Sequence, residues 1–245
     1  MKDNFSDNAK AYAQFRPQYP AELYDFLLPL VKEKPRAWDC GTGNGQVAGI
    51  LADHFKEVCA TDISEQQLTE AVKRDNIIYS VQSAEKTLFP DKYFDLITVA
   101  QAIHWFRFDD FYAEVRRTLK PDGILAAIGY GPVQVENQSL QQLIDHFYTA
   151  IVGPYWDAER RYIDDRYRTI PFPFRETAAP VMDMRYHWSM EQFLGYLSTW
   201  SAVKHYRKAT GIDPVDLIRE ELEKLWGDKS ECTFIFPILL RVGSV

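Results

Sequence analysis

Ala37-Trp38-Asp39-Cys40-Gly41-Thr42-Gly43-Asn44-Gly45-Gln46 decides the fold, because a short apolar run breaks there into three glycines at every second position. A strand ending in such a loop, with a helix beginning at Gln46, is the nucleotide-binding opening of an open α/β sheet. Glycine has a mechanical reason to stand in it. A backbone without Cβ takes positive φ and lets a bound molecule come into van der Waals contact. Asp39 at the strand end repels a pyrophosphate but suits a ligand that bears cations and no phosphate; its other reading is a carboxylate that braces the loop through glycine amides. Asp62 closes the next apolar run, Val58-Cys59-Ala60-Thr61. An acid at that place accepts both hydroxyls of a ribose in charge-assisted hydrogen bonds.

Composition bounds what this opening serves. The chain has 245 residues, 46% hydrophobic and 14% aromatic, which suffices for a folded α/β domain with a substantial core. A net charge of −7 leaves no electrostatic footprint for nucleic acid or an anionic membrane, so the expected partner is a small-molecule acceptor. The chain is expected to be a monomer or a weak homodimer. Cys40, Cys59 and Cys232 lie far apart without metal or redox spacing, which predicts a reducing compartment and no metal. No apolar run reaches about 18 residues and the N-terminus is polar, so neither a signal peptide nor a spanning helix is expected, and the location predicted is cytoplasmic.

Adenosine plus a cationic tail describes S-adenosylmethionine. Asp39-Cys40-Gly41-Thr42-Gly43-Asn44-Gly45 resembles motif I of the class I S-adenosylmethionine-dependent methyltransferases, and Asp62 resembles their ribose-binding acid. More narrowly, Arg16-Pro17-Gln18-Tyr19-Pro20, Ser83-Ala84-Glu85 and Ala102-Ile103-His104-Trp105-Phe106 are similar to a small-molecule subgroup (type 11) that includes the fungal trans-aconitate methyltransferases. The resemblance covers most of the first 130 residues and thins beyond Gly131. It implies a doubly wound, Rossmann-like sheet of seven strands, mostly parallel with the last antiparallel, and a helical cap inserted between strands five and six. It also implies that the N-terminal segment folds over the methionine end, where Tyr12 and Arg16 meet the carboxylate. The implied cofactor set is Asp39, Gly41, Thr42, Gly43, Gly45, Asp62 and Gln101. Ile63 either lies against the adenine or is an ordinary strand-end hydrophobe. The class often places an acid where Ser83 stands, so adenine contact falls to the Ser83 hydroxyl and the backbone around Ala84.

Taken in order, the chain predicts a short helix over Asn8 to Phe15, a helix from Pro20 through Leu30, a helix over Glu65 to Lys73 capped by Ser64, and a strand over Asn76 to Val81. Phe94 to Ala100 is apolar after Asp95, as a strand buried on both faces must be. A helix over Asp109 to Leu119, a Lys120-Pro121-Asp122-Gly123 turn and a strand over Ile124 to Ile128 follow. Val133 to Tyr167 reads as helical, Val181 to Trp188 as strand six, and Met190 to Lys204 and Asp213 to Trp226 as helices. Thr233 to Val242 reads as the last strand, bulged at Pro237. The organisation expected is one domain over 1–245: an N-terminal lid and first helix (1–35), a cofactor-binding half (36–131), a cap with strand six (132–230) and a C-terminal strand (231–245).

The strand over Phe94 to Ala100 must open into the ligand crevice at Gln101. The tetrapeptide that methyltransferases of planar amino groups carry at this place, Asn/Asp-Pro-Pro-aromatic, is absent, as are the clustered carboxylates of a metal-assisted site. His104 has a charge that changes near neutrality and is the candidate catalytic residue, either a general base or a donor that orients the acceptor; the other reading is an imidazole that fixes its loop. Trp105 and Phe106 read as packing. A carboxylate acceptor, as in the trans-aconitate enzymes, needs no base, whereas an amine or alcohol does. Between Tyr155 and Glu176 arginines and acids balance, so charge alone does not say which face the acceptor. A dinucleotide dehydrogenase and a cofactor-binding regulator without turnover share parts of this pattern. Asp39 and the Gly-x-Gly-x-Gly spacing oppose the first, and the intact stretch from Gln101 to Phe106 opposes the second.

Overall fold

The computed structural model describes residues 15–245. Five strands, β1 (Arg36–Cys40), β2 (Glu57–Asp62), β3 (Ile77–Val81), β4 (Phe94–Ala100) and β5 (Leu119–Tyr130), pair in parallel in the order β3-β2-β1-β4-β5. The period of two along a strand divides their apolar residues between two faces. Trp38, Ile97, Val99 and Leu125 join one core with Phe111 and Val115 of the helix Phe108–Thr118, while Ala37, Leu96, Ile124 and Ala126 join another. That second core is covered by α1 (Ala21–Leu27), through Leu23 and Leu27, and by α2 (Gln46–Leu51), through Val47 and Leu51. Both faces of β4 are therefore dry, which explains its unbroken apolar sequence. Each large side chain so buried stabilises the fold by about 1.5–3 kcal/mol.

β9 (Cys232–Ser244) adds antiparallel to β5, and β8 (Asp183–Trp188) adds antiparallel to β9, so β8 runs with the first five strands. The expected insertion of the last strand between strands five and six is present. The count of seven is not. Two short strands, β6 (Gln134–Val135) and β7 (Arg175–Thr177), also pair with β9 and bring the described residues to nine strands. Pro237 causes no bulge. Its carbonyl accepts from Gly131 N at 2.8 Å, just past the end of β5, so the amide hydrogen that proline lacks would have pointed where that ladder stops. Lys120 to Gly123 is looped out of β5, with Leu119 opposite Phe94 and Ile124 opposite Leu96, and Lys120 Nζ holds both oxygens of Asp95 at 2.8 and 3.0 Å.

Several helices are shorter than their periodicity suggests, each for a local reason. The helix at Ser64 runs only over Glu65–Thr69, because Val72 N donates to the carbonyl of Asn44 in the glycine loop instead of continuing it. Met190 to Lys204 is two helices, Met190–Ser198 and Ser201–Thr210. Thr199 Oγ1 turns back to the Tyr196 carbonyl at 2.6 Å and Trp200 takes an extended backbone, which drops its indole among Phe147, Tyr148, Trp156 and Tyr196. The cap segment after β6 has an α-helix (Gln138–His146), a π-helical turn (Phe147–Ile151), short 3-10 turns and a four-residue helix, Arg161–Asp164. The last helix spans Asp216–Trp226, with Asp213 accepting from Val215 N ahead of it. Together with Phe234 and Phe236 of β9, the helices Gln138–His146, Met190–Ser198, Ser201–Thr210 and Asp216–Trp226 form a third core, in which Phe193 stacks on Phe234 at 4.4 Å. Among the described residues no helix is long and apolar enough to cross a membrane.

Candidate active site

The strand order reverses between β1 and β4, and a cavity of about 110 Å³ opens there at the carboxyl ends of the strands. The glycine loop after β1, Asp62 at the end of β2, Ile63 after it, Gln101 after β4 and Tyr130 of β5 all line it. Gly41, Gly43 and Gly45 have φ of +68°, +55° and +77°. A Cβ on Gly41 would come within 2.7 Å of the Ala102 Cβ, and one on Gly45 would run into the Tyr79 hydroxyl. Gly43 differs. Nothing stands closer than Gln67 Oε1 at 3.9 Å, so a side chain there would project into the space a ligand needs.

Two carboxylates hold this loop. Asp39 is fully buried and accepts from Thr42 Oγ1 at 2.5 Å, Thr98 Oγ1 at 2.8 Å and Ala48 N at 3.1 Å. Burial pushes its carboxyl up to about 6 in spite of those three bonds, and the charge on Asp62 adds to the rise. Asp62 accepts from Gly43 N and Ser64 N, each at 2.9 Å, and borders the cavity itself. Four lone-pair directions are available on a carboxylate, so these amides leave acceptor capacity for hydroxyl groups.

The expected cofactor residues divide accordingly. Arg16, Gly41, Thr42, Gly43, Asp62, Ile63 and Gln101 border the cavity. Asp39 does not: it lies beneath the loop, where its oxygens accept from Thr42, Thr98 and Ala48. Gly45 serves as the left-handed residue that starts α2. Ser83 and Ala84 also lie off the wall; the Ser83 hydroxyl is bonded to Glu85 Oε2, and Ala84 is packed into the core. Tyr12 lies outside the described residues. Tyr130, which ends β5, lines the cavity; Tyr19 and Gln67 line it too, without a sequence pattern that marks them, and Trp105, whose sequence reads as packing, lines it as well.

A second, smaller cavity of about 40 Å³ shares Arg16, Gln101 and Trp105 with the first and continues to His104, Trp156, Asp157 and Arg160 of the cap. Gln101 stands between the two with φ of +51°, a costly conformation for a residue with a side chain, and is held in it by Ile128 O and Tyr130 O. Arg16 spans the same border, donating to the Tyr130 hydroxyl at 2.8 Å and the Thr199 carbonyl at 3.3 Å. His104 corrects the expectation of a group that titrates near neutrality. Burial, with a smaller contribution from the Arg160 guanidinium, pushes its imidazole down to about 3, so it is neutral at physiological pH. Its Nδ1 is buried and has no hydrogen-bond partner among the described residues.

An open α/β sheet whose crevice couples a glycine loop and a ribose-height acid to a second, cap-covered cavity defines a group-transfer enzyme with a nucleoside cofactor. Residues 38–127 match the model of the methyltransferase domain. A Dictyostelium discoideum protein whose name assigns it to the methyltransferases is 36% identical over 97% of this chain and 93% of its own length. A methyltransferase of Aspergillus candidus, cfoB, is 28% identical over 74% of this chain and 64% of its own. A solved structure from Anaeromyxobacter dehalogenans, described as a type II methyltransferase, superposes with a TM-score of 0.86 at 38% identity, covering 94% of this chain and 98% of that one. The chain belongs to the S-adenosylmethionine-dependent methyltransferase family.

The residues present fit that cofactor. The open face of Gly43 leaves room for it, and Asp62 puts a carboxylate on the cavity wall, which suits ribose hydroxyls and a cation over a pyrophosphate. S-adenosylmethionine supplies a methyl group on a sulfonium when bound there. The dehydrogenase and the regulator readings fall with this assignment.

Proposed function

We propose that the enzyme methylates a small molecule held in the second cavity and that the acceptor atom is a carboxylate oxygen. The observation that carries the reading is the shared wall: Arg16, Gln101 and Trp105 belong to both cavities, so a molecule in the smaller one abuts the cofactor site across those residues. A carboxylate fits because it brings its lone pair without losing a proton. Neutral His104 is too weak a base to take one from an ammonium or an alcohol, since general bases work best near the operating pH. The protein's part is then geometric. Trp105, Trp156 and Ile163 exclude water, and holding the reactants in line contributes about 7–11 kcal/mol in favourable cases. A second reading, methylation of an amine, is favoured by Asp157, whose carboxylate borders the same cavity. A panel of small mono-, di- and tricarboxylates, amines and alcohols, assayed by release of S-adenosylhomocysteine, tests both. Turnover of carboxylates whose kcat is retained in His104→Ala, with only KM raised, supports the proposal. Turnover of amines or alcohols alone, with a loss of about 10²–10⁴ in His104→Ala, overturns it.

A further inference from the structure

We infer that Arg160 is the anion anchor of the acceptor cavity, taking a carboxylate of the acceptor other than the one that reacts, with the ring of His104 beside it as a second donor. The inference rests on the reading that the smaller cavity holds the acceptor, and it makes that acceptor a molecule with at least two anionic groups. Arg160 is built into place on one edge only. Its Nε donates to the Tyr148 hydroxyl at 2.7 Å and lies 3.6 Å from Asp164 Oδ1, and Tyr148 in turn donates to that same oxygen at 2.6 Å. The guanidinium lies 4.5 Å over the Trp156 ring, whose Nε1 is tied to the Tyr148 carbonyl at 3.2 Å. The π-helical turn Phe147–Ile151 presents Tyr148 for these contacts, a common use of such turns.

The other edge of the fork is uncommitted. The two terminal nitrogens of Arg160 make no hydrogen bond among the described residues, and the residue lines the cavity. His104, 5% exposed, lines the same cavity, with its Nδ1 unpartnered among the described residues. A buried ring nitrogen without a partner is costly unless a ligand completes it. A guanidinium and an imidazole nitrogen lining one small space match a carboxylate, which accepts two parallel bonds from the fork and a third from the ring in the tautomer that puts the hydrogen on Nδ1. A carboxylate engaged in this way has three of its four lone-pair directions occupied, so it orients the molecule and leaves a second group to attack. Tyr148 and Asp164 act through Arg160 and are positioning residues.

Calorimetry on the full chain saturated with S-adenosylhomocysteine tests the anchor, with succinate, its diamide succinamide and inorganic phosphate as probes. Succinate should bind saturably, and succinamide and phosphate at least about tenfold more weakly. Arg160→Gln should lower succinate affinity about ten- to a hundredfold and leave S-adenosylhomocysteine affinity within about twofold. Arg160→Lys, which keeps the charge and loses the fork, should fall between the two proteins. Tyr148→Phe should weaken succinate severalfold without changing succinamide, a difference that a merely structural role would not produce. Succinate binding that is absent, or unchanged in Arg160→Gln, overturns the anchor, as does succinamide binding as tightly as succinate. Phosphate binding as tightly as succinate overturns the carboxylate assignment. Should the acceptor panel yield no product while succinate binding still depends on Arg160, the methylation reading falls and the anion site stands.

Discussion

At the scale of single residues the site separates three titratable groups by what surrounds them. Asp62 grips the loop through Gly43 N and Ser64 N and faces the cavity as well, so its charge serves both. Asp62→Ala should lower S-adenosylmethionine affinity about ten- to a hundredfold, the loss of a charge-assisted bond worth about 1.5–3 kcal/mol, and unchanged affinity by calorimetry would remove it from the site. Asp39 and His104 are both buried and pull the acid stability in opposite directions. The Asp39 carboxyl, raised to about 6, holds its proton in the folded state at pH values where the unfolded chain has lost it, so its contribution is full below about pH 4 and is lost as the pH rises through 6. His104, lowered to about 3, stays neutral in the fold while the unfolded chain takes up a proton below about 6.5, so its contribution is lost as the pH falls from 6.5 toward 3. Asp39→Asn should therefore steepen the loss of stability between pH 6 and 4, and His104→Gln should flatten it, each by up to about 1.4 kcal/mol per pH unit. Denaturant unfolding across that range reads the slopes, and parallel curves for all three proteins would contradict both assignments. Because Asp39 is off the cavity wall, Asp39→Asn should weaken S-adenosylmethionine and adenosine alike.

Elements are where the glycines differ. Gly45 must be glycine for the fold, since it begins α2 at φ +77° against Tyr79; Gly43 must be glycine for the ligand, since its surroundings are open. Gly45→Ala should cost about 2–4 kcal/mol from left-handed strain plus overpacking, whereas Gly43→Ala should cost only about 1–2 kcal/mol from strain and lose cofactor affinity instead. Unfolding midpoints together with calorimetric affinities distinguish the two, and equal losses of stability would refute the distinction. Cap helices follow the same logic of local competition. Trp200 leaves the helical path because its indole gains an aromatic cluster, and tertiary burial of this kind outweighs the propensity of the Met190 to Lys204 run.

On the scale of the whole molecule β9 joins parts that the chain order keeps apart. It puts Phe234 and Phe236 into the cap core, Leu239 into the core shared with Trp38 and Val242 into the one shared with Leu23. It lies inside the sheet, between β5 and β8. Ending the chain after Glu231 should therefore abolish cooperative unfolding and the near-ultraviolet circular dichroism of the aromatic core, where a truncated edge strand would only lower stability. A shortened chain that still melts cooperatively would show that the two halves do not depend on β9.

The sequence by itself determined the doubly wound sheet, the glycine loop and Asp62, because each rests on a short-range pattern: apolar runs of strand length, glycines two apart, an acid at a strand end. The placing of the last strand inside the sheet came from the family resemblance, since strand order is set by contacts far apart in the chain. The position of Asp39 was open between bracing and ligand contact, since a residue two places from a glycine reaches either, and only the partners Thr42, Thr98 and Ala48 decided it. The state of His104 was also beyond the sequence, because its depressed pKa comes from burial and from Arg160. Arg160 was one of several arginines balanced by acids in the cap. Burial and partners are properties of contacts made across the fold, and no spacing along the chain encodes which guanidinium has its outer edge turned to a cavity.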